Sequence, residues 1–399
     1  MSRPRFLASL GGLALVAVVV FGFFLNAAVR LPCYDVCGSD IGRLYQDRGI
    51  DRAHPPYFSR DLEYPPLIGE VMYAATVPFD HGLRGPFLVN MLILTGLAVA
   101  TTWVLWRRNG ARAWRWALAP PLLLQGLTNW DLLSVAPATI GLVEWEQGAA
   151  LAGGALLGVG AAAKLYPALF VPILAAASLG CGASRRAARV VVGAALGFGA
   201  VVLPVYAFKP SALHYLATFH GNRDADRGSV WYWATHGPGL NAWTNEHALV
   251  HVITILPTLA LAATVAALCL ASYRRRVSPI TACALATIVC LLTSKIYSPQ
   301  YDLWIVPFLV MLPVRRTLVV RFYIASCAVF VLTAIDHHVW ERPTSGIVLG
   351  LAVLWRVVVL VRIGLELWRA DQSPPDAVID LVATEAAEAP DAERAPRAR

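Results

Sequence analysis

Polar and ionisable residues interrupt the apolar segments of this chain at only a few positions. Asp131 ends the sequence Thr-Asn-Trp-Asp at 128–131, which separates two apolar stretches. An isolated acid at membrane depth is energetically expensive and by default indicates a functional site, although Asn129 and Asp131 are also residue types that cap helices. Lys164, in Lys-Leu-Tyr-Pro at 164–167, lies at a similar break. Its ammonium either extends to the membrane interface or serves as a point charge for a phosphate group.

Two further polar stretches, residues 220–236 and 293–302, carry side chains suited to phosphates and sugars. The second stretch forms a polar hinge between two apolar segments. Tryptophan faces stack on sugar rings, but Trp and Tyr also collect at membrane interfaces whatever the function. The candidate binding residues in these stretches are Arg223, Arg227 and Trp231 in the first, and Lys295, Gln300 and Tyr301 in the second.

A second candidate acid, Asp40, follows the long apolar run at the amino terminus. The segment after it has patterns that predict a helix, a turn and a second helix. Apolar residues three and four positions apart in 41–49 predict a short amphipathic helix on the membrane surface. In Tyr64-Pro65-Pro66, the second proline is well placed in the first turn of a helix. The apolar residues 67–77 are too few to span a membrane, so they predict a juxtamembrane helix with Tyr64 held at the interface.

The composition is that of a polytopic membrane protein. Hydrophobic residues make up 57% of the 399 residues and charged residues only 15%, whereas soluble domains are about 25% charged. The first apolar run, residues 6–29, is longer than the core of a signal peptide and is followed by further spans, so we interpret it as a retained anchor. The net charge of +8 mostly reflects arginines in short loops, and it does not require a nucleic acid partner.

Arginine placement predicts the topology, because short cytoplasmic loops carry the excess of Lys and Arg. Placing the amino terminus and all the basic loops inside gives an all-helical bundle of ten to twelve spans within residues 1–369, among them spans at 113–127 and 302–314. Two large segments, 30–85 and 208–248, then lie outside. Residues 370–399 are rich in Pro, Ala and acids and predict a disordered cytoplasmic tail. The basic loops are residues 107–115, 185–189, 274–276 and 315–316.

The histidines and lysines gather on the predicted outer face. All nine histidines and all three lysines fall in or beside the predicted outer segments, although histidines avoid apolar spans in any case. Cys33 and Cys37 are outside in this topology, so a local disulfide is possible in an oxidising compartment. No Cys-His spacing is typical of a zinc site, and no Gly-rich phosphate loop or Ser-His-Asp order occurs in the sequence.

Four motifs in order make the chain resemble the GT-C membrane glycosyltransferases, and within them glycosyltransferase family 87 (the DUF2029-like proteins). The Asn129-Trp130-Asp131 turn is similar to a polar turn that these proteins carry at the same place. Where some relatives place a histidine in the Ser-Pro turn, this chain has Gln300, so a histidine-assisted step does not carry over. The four motifs are Asp-x-x-x-x-Tyr at 40–45, Tyr-Pro-Pro-Leu at 64–67, Lys-Leu-Tyr-Pro at 164–167 and Ser-Pro-x-Tyr at 298–301.

The resemblance implies a helical bundle with its active site on the extracytoplasmic face and a polyprenyl-phosphate sugar as donor. Mannose or arabinofuranose would pass to a cell-envelope glycolipid or glycan with inversion, and no cofactor would be needed. By position, Asp40 matches the catalytic base and Lys164 a lysine near the donor phosphate. Nothing in the sequence demands a metal ion, although Asp40 and Asp131 could share a cation.

The remaining candidate residues are assigned to donor or acceptor within this framework. The donor phosphate and its lipid would meet Lys164, Tyr166, Arg223, Arg227 and Lys295. The acceptor or sugar would meet Tyr45, Tyr64, Asn129, Asp131, Trp231, Gln300 and Tyr301.

Two other function classes fit parts of the sequence. A secondary transporter also places polar residues at helix breaks, but near the midplane and with two similar halves; here the breaks gather at one face and no internal repeat is visible. A non-catalytic lipid-binding relative would keep the fold without the reaction. Labelled polyprenyl-phosphate sugars separate the three classes by transfer, accumulation in vesicles or binding alone.

Overall fold

The computed structural model describes residues 3–32, 39–51, 53–79, 82–236, 246–339 and 343–372. Within these ranges the chain is helical, without a β-strand, as the sequence predicts for an all-helical membrane protein. Cys33 and Cys37, residues 237–245 of the second outer segment and the predicted tail beyond residue 372 lie outside the described residues.

The described α-helices are numbered in chain order. They are α1 (Arg3–Arg30), α2 (Asp40–Asp47), α3 (Pro66–Thr76), α4 (Arg84–Asn109), α5 (Trp114–Ala117), α6 (Pro120–Gln125), α7 (Leu132–Glu146), α8 (Ala150–Ala161), α9 (Phe170–Gly180), α10 (Ser184–Phe208), α11 (Pro210–Asn222), α12 (Val230–His236), α13 (Glu246–Tyr273), α14 (Pro279–Thr293), α15 (Val306–Met311), α16 (Arg316–Val339) and α17 (Pro343–Gln372). Short 3₁₀ helices cover Gly110–Ala113, Tyr166–Leu169 and Pro299–Trp304.

Six of the described helices are long and apolar enough to cross a membrane, fewer than the ten to twelve spans predicted. Prolines account for part of the difference, because a proline removes a hydrogen bond and interrupts a helix. The predicted span 113–127 is broken into α5 and α6, where Pro120 and Pro121 begin the second helix. The predicted span 302–314 is a 3₁₀ turn followed by α15, which is buried along its whole length. Broken helices are tolerated at membrane depth where protein surrounds them.

The four predicted basic loops lie at one end of the bundle, which we call the arginine end. From there α7 runs about 22 Å at 1.5 Å per residue to the turn that holds Asp131, so that turn lies at the opposite end, the site end. Contacts that join the basic loops are Arg108 to Glu146, Arg186 to the carbonyl of Trp145, Arg275 to the carbonyl of Gly180, and Arg115 to the carbonyl of Val314.

Helices α8 and α10 approach each other until their backbones touch. Gly154 and Gly158 on α8 face the backbone of α10, and Gly193 and Gly197 on α10 face the backbone of α8, so a β-carbon at any of them would collide with a carbonyl. This is the small-xxx-small packing that membrane helices use for close approach. Because α8 ends at Ala161, just before the Lys164 turn, the contact fixes the position of that turn.

Candidate active site

Asp40 is held at the start of α2 by contacts from both sides. Ser39 caps this helix, since its hydroxyl accepts a hydrogen bond from the backbone N–H of Ile41 and donates one to the carbonyl of Leu127 at 2.6 Å. The backbone N–H of Asp40 donates to the carbonyl of Thr128 at 2.8 Å. An acid in the first helical turn is favoured by the helix dipole. The capped helix therefore holds Asp40 against the turn 128–131.

The carboxylate of Asp40 is partly accessible, with 23% of its side chain exposed. Its Oδ2 accepts a hydrogen bond from Nδ2 of Asn129 at 2.9 Å, and its Oδ1 accepts one from the guanidinium of Arg43 at 2.8 Å. A carboxylate has about four lone-pair sites, so these two bonds leave capacity for another donor. The group is fixed in orientation and still able to receive a proton.

Asn129 links two of the candidate motifs. Its Nδ2 also donates to the hydroxyl of Tyr64 at 2.7 Å, while its Oδ1 accepts from the backbone N–H of Trp130 at 2.7 Å. The side chain is only 2% exposed, so its amide orientation is set by these partners. Three separate parts of the chain, around residues 40, 64 and 129, therefore meet at one buried amide.

The Lys164 turn joins the same cluster. The backbone N–H of Leu67, in the first turn of α3, donates to the carbonyl of Ala162 at 3.1 Å. The Lys164 ammonium lies 5.0 Å from the ring centre of Tyr64 and 4.9 Å from that of Tyr301, within the range of cation–π attraction. The structure therefore brings Asp40 and Lys164 into one cluster through Asn129 and Tyr64.

Asp131 lies behind the lysine and is completely buried. Its Oδ1 accepts a hydrogen bond from the indole N–H of Trp304 at 2.8 Å and lies 3.9 Å from the Lys164 ammonium. Its Oδ2 has no hydrogen-bond partner among the described residues. Because an unpaired buried polar atom is costly, this oxygen is suited to a donor supplied by a ligand.

Three stacked aromatic rings form one wall of the cluster. Trp304 stacks on Tyr166 with ring centres 4.3 Å apart, and on Tyr301 with ring centres 4.4 Å apart. Our sequence analysis missed Trp304. The signal was present, because Tyr301 and Trp304 are three residues apart in a 3₁₀ helix, where such side chains overlie each other.

Tyr45, another predicted site residue, is buried behind the turn that carries Asn129. The hydroxyl of Tyr45 donates to the carbonyl of Met72 at 2.8 Å and accepts from Asn90 at 2.9 Å. Asn90 in turn accepts from the indole N–H of Trp130 at 2.6 Å. Tyr45 is therefore a buried support behind the turn 128–131, and the structure does not bring it to the carboxylate of Asp40.

Lys295 and Trp231 are engaged in holding segments together. The Lys295 ammonium donates to the carbonyl of Gly221 and the hydroxyl of Thr254, both at 2.9 Å. The indole N–H of Trp231 donates to the carbonyl of Leu292 at 3.0 Å. These contacts attach the second outer segment to α13 and α14, and no described contact brings either side chain to Lys164.

The remaining predicted residues, Gln300, Arg227 and Arg223, lie in three different surroundings. Gln300 is buried in the same 3₁₀ helix as Tyr301. Arg227 is exposed, with its guanidinium 5.8 Å from the ring centre of Tyr232. Arg223 is exposed at the end of α11, where its charge adds to burial in lowering the pKa of His220. Arg223 therefore acts on a histidine whose Nε2 donates to the backbone carbonyl of Glu63, the residue before Tyr64.

An ion pair fixes the loop that leads to Tyr64. Arg48 donates two hydrogen bonds of 2.8 Å to the carboxylate of Glu63. Burial acts to raise the pKa of Glu63, but the hydrogen bonds and charge of Arg48 outweigh it and the pKa is lowered. The backbone carbonyl of Glu63 accepts from Nε2 of His220 at 2.8 Å. The residue before Tyr64 is thus held by both outer segments.

A second contact that sequence analysis missed comes from the end of α1. Arg30 donates to the hydroxyl of Thr128 at 3.0 Å and to the carbonyl of Leu124 at 3.2 Å, so the last turn of the first span also holds the turn 128–131.

Among the described residues, no group of three or more His, Cys, Asp or Glu side chains is placed to hold a metal ion.

The chain matches a known protein family over a range that contains several of these residues. A family model described as glycosyltransferase family 87 matches residues 64–299, more than half of the chain. The matched range includes Tyr64, Asn129, Asp131 and Lys164, whereas Asp40 precedes it. None of the curated proteins compared with the chain matches it. Among solved structures, the crystal structure of ArnT from Cupriavidus metallidurans bound to undecaprenyl phosphate is similar, with 15% sequence identity, a TM-score of 0.46, and coverage of 88% of this chain and 77% of that chain.

Proposed function

The chain belongs to glycosyltransferase family 87, and from this premise we propose that it moves a sugar from a polyprenyl-phosphate donor to a hydroxyl group of a cell-envelope glycolipid or glycan. The observation that carries the proposal is the shared cluster of Asp40 and Lys164. Asn129 bonds both the Asp40 carboxylate and the Tyr64 hydroxyl, and the Tyr64 ring lies against the Lys164 ammonium. An acid and a cation are the two groups that this reaction needs.

In the proposed reaction, the acceptor oxygen attacks the anomeric carbon of the sugar in a single displacement. A bond from the acceptor oxygen to that carbon forms, the bond from the carbon to the phosphate oxygen breaks, and the configuration inverts. Asp40 takes the acceptor proton as the new bond develops. General base help of this kind is typically worth about 10²- to 10⁴-fold in rate. The hydrogen bonds from Asn129 and Arg43 hold the carboxylate ready for that transfer.

The leaving group is a polyprenyl phosphate, which departs as a stable anion without a strong general acid. In our proposal, Lys164 stabilises the negative charge that grows on the phosphate oxygens, which is the kind of preorganised electrostatic contact that enzymes use most effectively. Tyr64 and Tyr301 hold the ammonium between their rings, so it needs no reorganisation. Arg223, exposed beside this region, would attract the anionic donor.

We assign the sugar to the space bounded by the aromatic wall and Asp131. The Oδ2 of Asp131, which has no partner among the described residues, can accept a hydrogen bond from a sugar hydroxyl. Tyr301, Trp304 and Tyr166 offer the apolar surface on which the face of a sugar ring can pack. Mannose and arabinofuranose are the two candidates, because both are carried on lipid phosphates in proteins that resemble this family.

We also propose that this site faces away from the cytoplasm. The basic loops gather at the opposite end of the bundle, and short cytoplasmic loops carry the excess of arginine. A lipid-phosphate donor suits that side, where nucleotide sugars are absent. The lipid part of the donor would stay in the membrane while its phosphate reaches Lys164.

The test compares Asp40→Asn with Asp47→Asn in the full chain. Asp47 is an exposed acid on the same short helix, so it is a matched control. Membranes containing each protein are incubated with radiolabelled polyprenyl-phosphate mannose or arabinofuranose and an envelope glycolipid extract. We expect the Asp40→Asn rate to fall about 10²- to 10⁴-fold, and the Asp47→Asn rate to stay near that of the unmodified protein. Full transfer by a folded Asp40→Asn protein would reject the proposed base.

A further inference from the structure

A second polar region lies at the arginine end, away from the cluster of Asp40 and Lys164. There, α16 and α17 border a cavity of about 610 Å³. Its lining includes four arginines and one glutamate, which leaves three formal positive charges in excess. The charged lining residues are Arg315, Arg321, Arg362, Arg369 and Glu366.

Two of these arginines are available for a ligand. Arg315 is engaged with Glu366, to which its Nε donates at 2.5 Å. Arg321 on α16 and Arg362 on α17 are exposed, and neither makes a hydrogen bond or an ion pair with any of the residues that the structure describes. Their guanidinium groups each present five N–H donors, the geometry that matches a phosphate.

The setting of the cavity favours a lipid over a free ion. Helix α17 exposes large apolar side chains next to its arginines: Val361 is 42% exposed, Leu365 48% and Trp368 42%. Leu365 also lines the cavity itself. A ligand with an anionic head and hydrocarbon chains would satisfy both surfaces at once, because the head would meet the arginines and the chains would cover the apolar strip.

We propose that this cavity binds the phosphate head group of an anionic membrane phospholipid. The site is separate from the one proposed for the donor, since the donor phosphate is assigned to Lys164 at the other end of the bundle. Such a lipid would fix the ends of α16 and α17. Its binding does not depend on the transferase proposal, so either can fail without the other.

The experiment measures lipid retention by the full chain in nanodiscs of phosphatidylcholine with and without phosphatidylglycerol, using native mass spectrometry. The test variant is Arg321→Gln with Arg362→Gln. The matched control is Arg185→Gln with Arg189→Gln, two exposed arginines at the same end that do not line the cavity. We expect phosphatidylglycerol to be retained over phosphatidylcholine, and the test variant to bind it about 30-fold more weakly while the control does not change.

Three further results decide the outcome. An Arg321→Lys with Arg362→Lys protein should keep part of the preference, because it keeps the charge but not the planar fork. Equal retention by the test and control variants would overturn the proposal. Displacement of the lipid by glycerol 3-phosphate at matched concentration would also overturn it, since it would show a site for a free phosphate. Unfolding temperatures of all variants, measured in the same nanodiscs, confirm that folded proteins are compared.

Discussion

Two buried carboxylates in this bundle each face a cation, and their surroundings differ. Asp302 is fully satisfied: the hydroxyl of Tyr297 donates to it at 2.5 Å, and the guanidinium of Arg356 lies 3.4 Å from both of its oxygens. Arg356 also donates to the carbonyl of Gly228 at 2.5 Å and lies under the ring of Tyr297. This pair joins the middle of α17 to the Ser-Pro turn and the second outer segment.

Asp131 and Lys164 form the looser pair. Their charged atoms are 3.9 Å apart, which is too far for a hydrogen bond, and one oxygen of Asp131 is unpartnered among the described residues. The Lys164 ammonium lies against aromatic rings that cannot neutralise it. Both oxygens of Asp302 are engaged, so this carboxylate offers no free acceptor to a ligand, whereas Oδ2 of Asp131 has no partner among the described residues and is available to a substrate. We infer that Asp302 with Arg356 is structural and Asp131 with Lys164 functional.

The largest effect should come from Arg356→Met. Removing this guanidinium leaves the carboxylate of Asp302 buried without its counter-ion, and breaking a buried pair in this way costs about 3–5 kcal/mol. We expect the free energy of unfolding in detergent micelles, measured by denaturant titration, to fall by that amount. The transferase rate per folded molecule should change little.

Two companion variants sharpen this prediction. Arg189→Met alters an exposed arginine on α10 and should change stability by no more than about 0.5 kcal/mol. Adding Asp302→Asn to Arg356→Met removes the orphaned charge and should recover part of the loss. If Arg356→Met is as stable as the unmodified protein, the assignment of this pair to the fold is wrong.

The second prediction concerns Lys164→Met, with Lys209→Met as the matched control at the same end of the bundle. Loss of a preorganised electrostatic contact typically costs about 10²- to 10³-fold in kcat, so we expect that loss in the labelled-donor assay for Lys164→Met and none for Lys209→Met. Because the pair with Asp131 is loose, the stability should fall less than in Arg356→Met. A protein that unfolds as readily as Arg356→Met, yet transfers sugar normally when folded, would show that both pairs are structural.

The sequence was sufficient to predict those parts of the site that are encoded locally. Helix α2 begins at Asp40 and α3 begins at Pro66, where the apolar spacing and the two prolines predict them. The polar breaks at 128–131 and 164–167 were found because polar residues stand out against apolar segments. That these breaks lie at one end of the bundle was predicted from the excess of arginine in short cytoplasmic loops, a rule that uses the positions of basic residues along the whole chain.

What the sequence did not reveal depends on distant pairing. Trp304 bonds Asp131 across 173 positions, and no local pattern predicts that contact. Arg356 was passed over because it lies within a long apolar helix, although a charge in such a segment is itself a signal. Tyr45 belongs to the motif that begins at Asp40, but its hydroxyl donates to the carbonyl of Met72. The motif alone did not reveal whether this residue of a short helix faces the site or the core.

The smallest effect should come from a third pair, Arg48 with Glu63, which lies in the first outer segment and is partly solvated. Because Arg48 lowers the pKa of Glu63 despite burial, the pair stabilises the fold above the usual pKa of a glutamate and loses this effect as the pH falls through the lowered value. Glu63→Gln should therefore cost about 1 kcal/mol at pH 7, and the difference from the unmodified protein should shrink below about pH 4.5.

Glu70→Gln should change the stability in the opposite direction. Because burial raises the pKa of Glu70, the fold prefers its neutral form, and the uncharged glutamine should stabilise the protein at pH 7. Thermal unfolding of the three proteins from pH 7 to acid tests both signs, and a pH-independent difference for Glu63→Gln would mean that this carboxylate does not contribute through its charge.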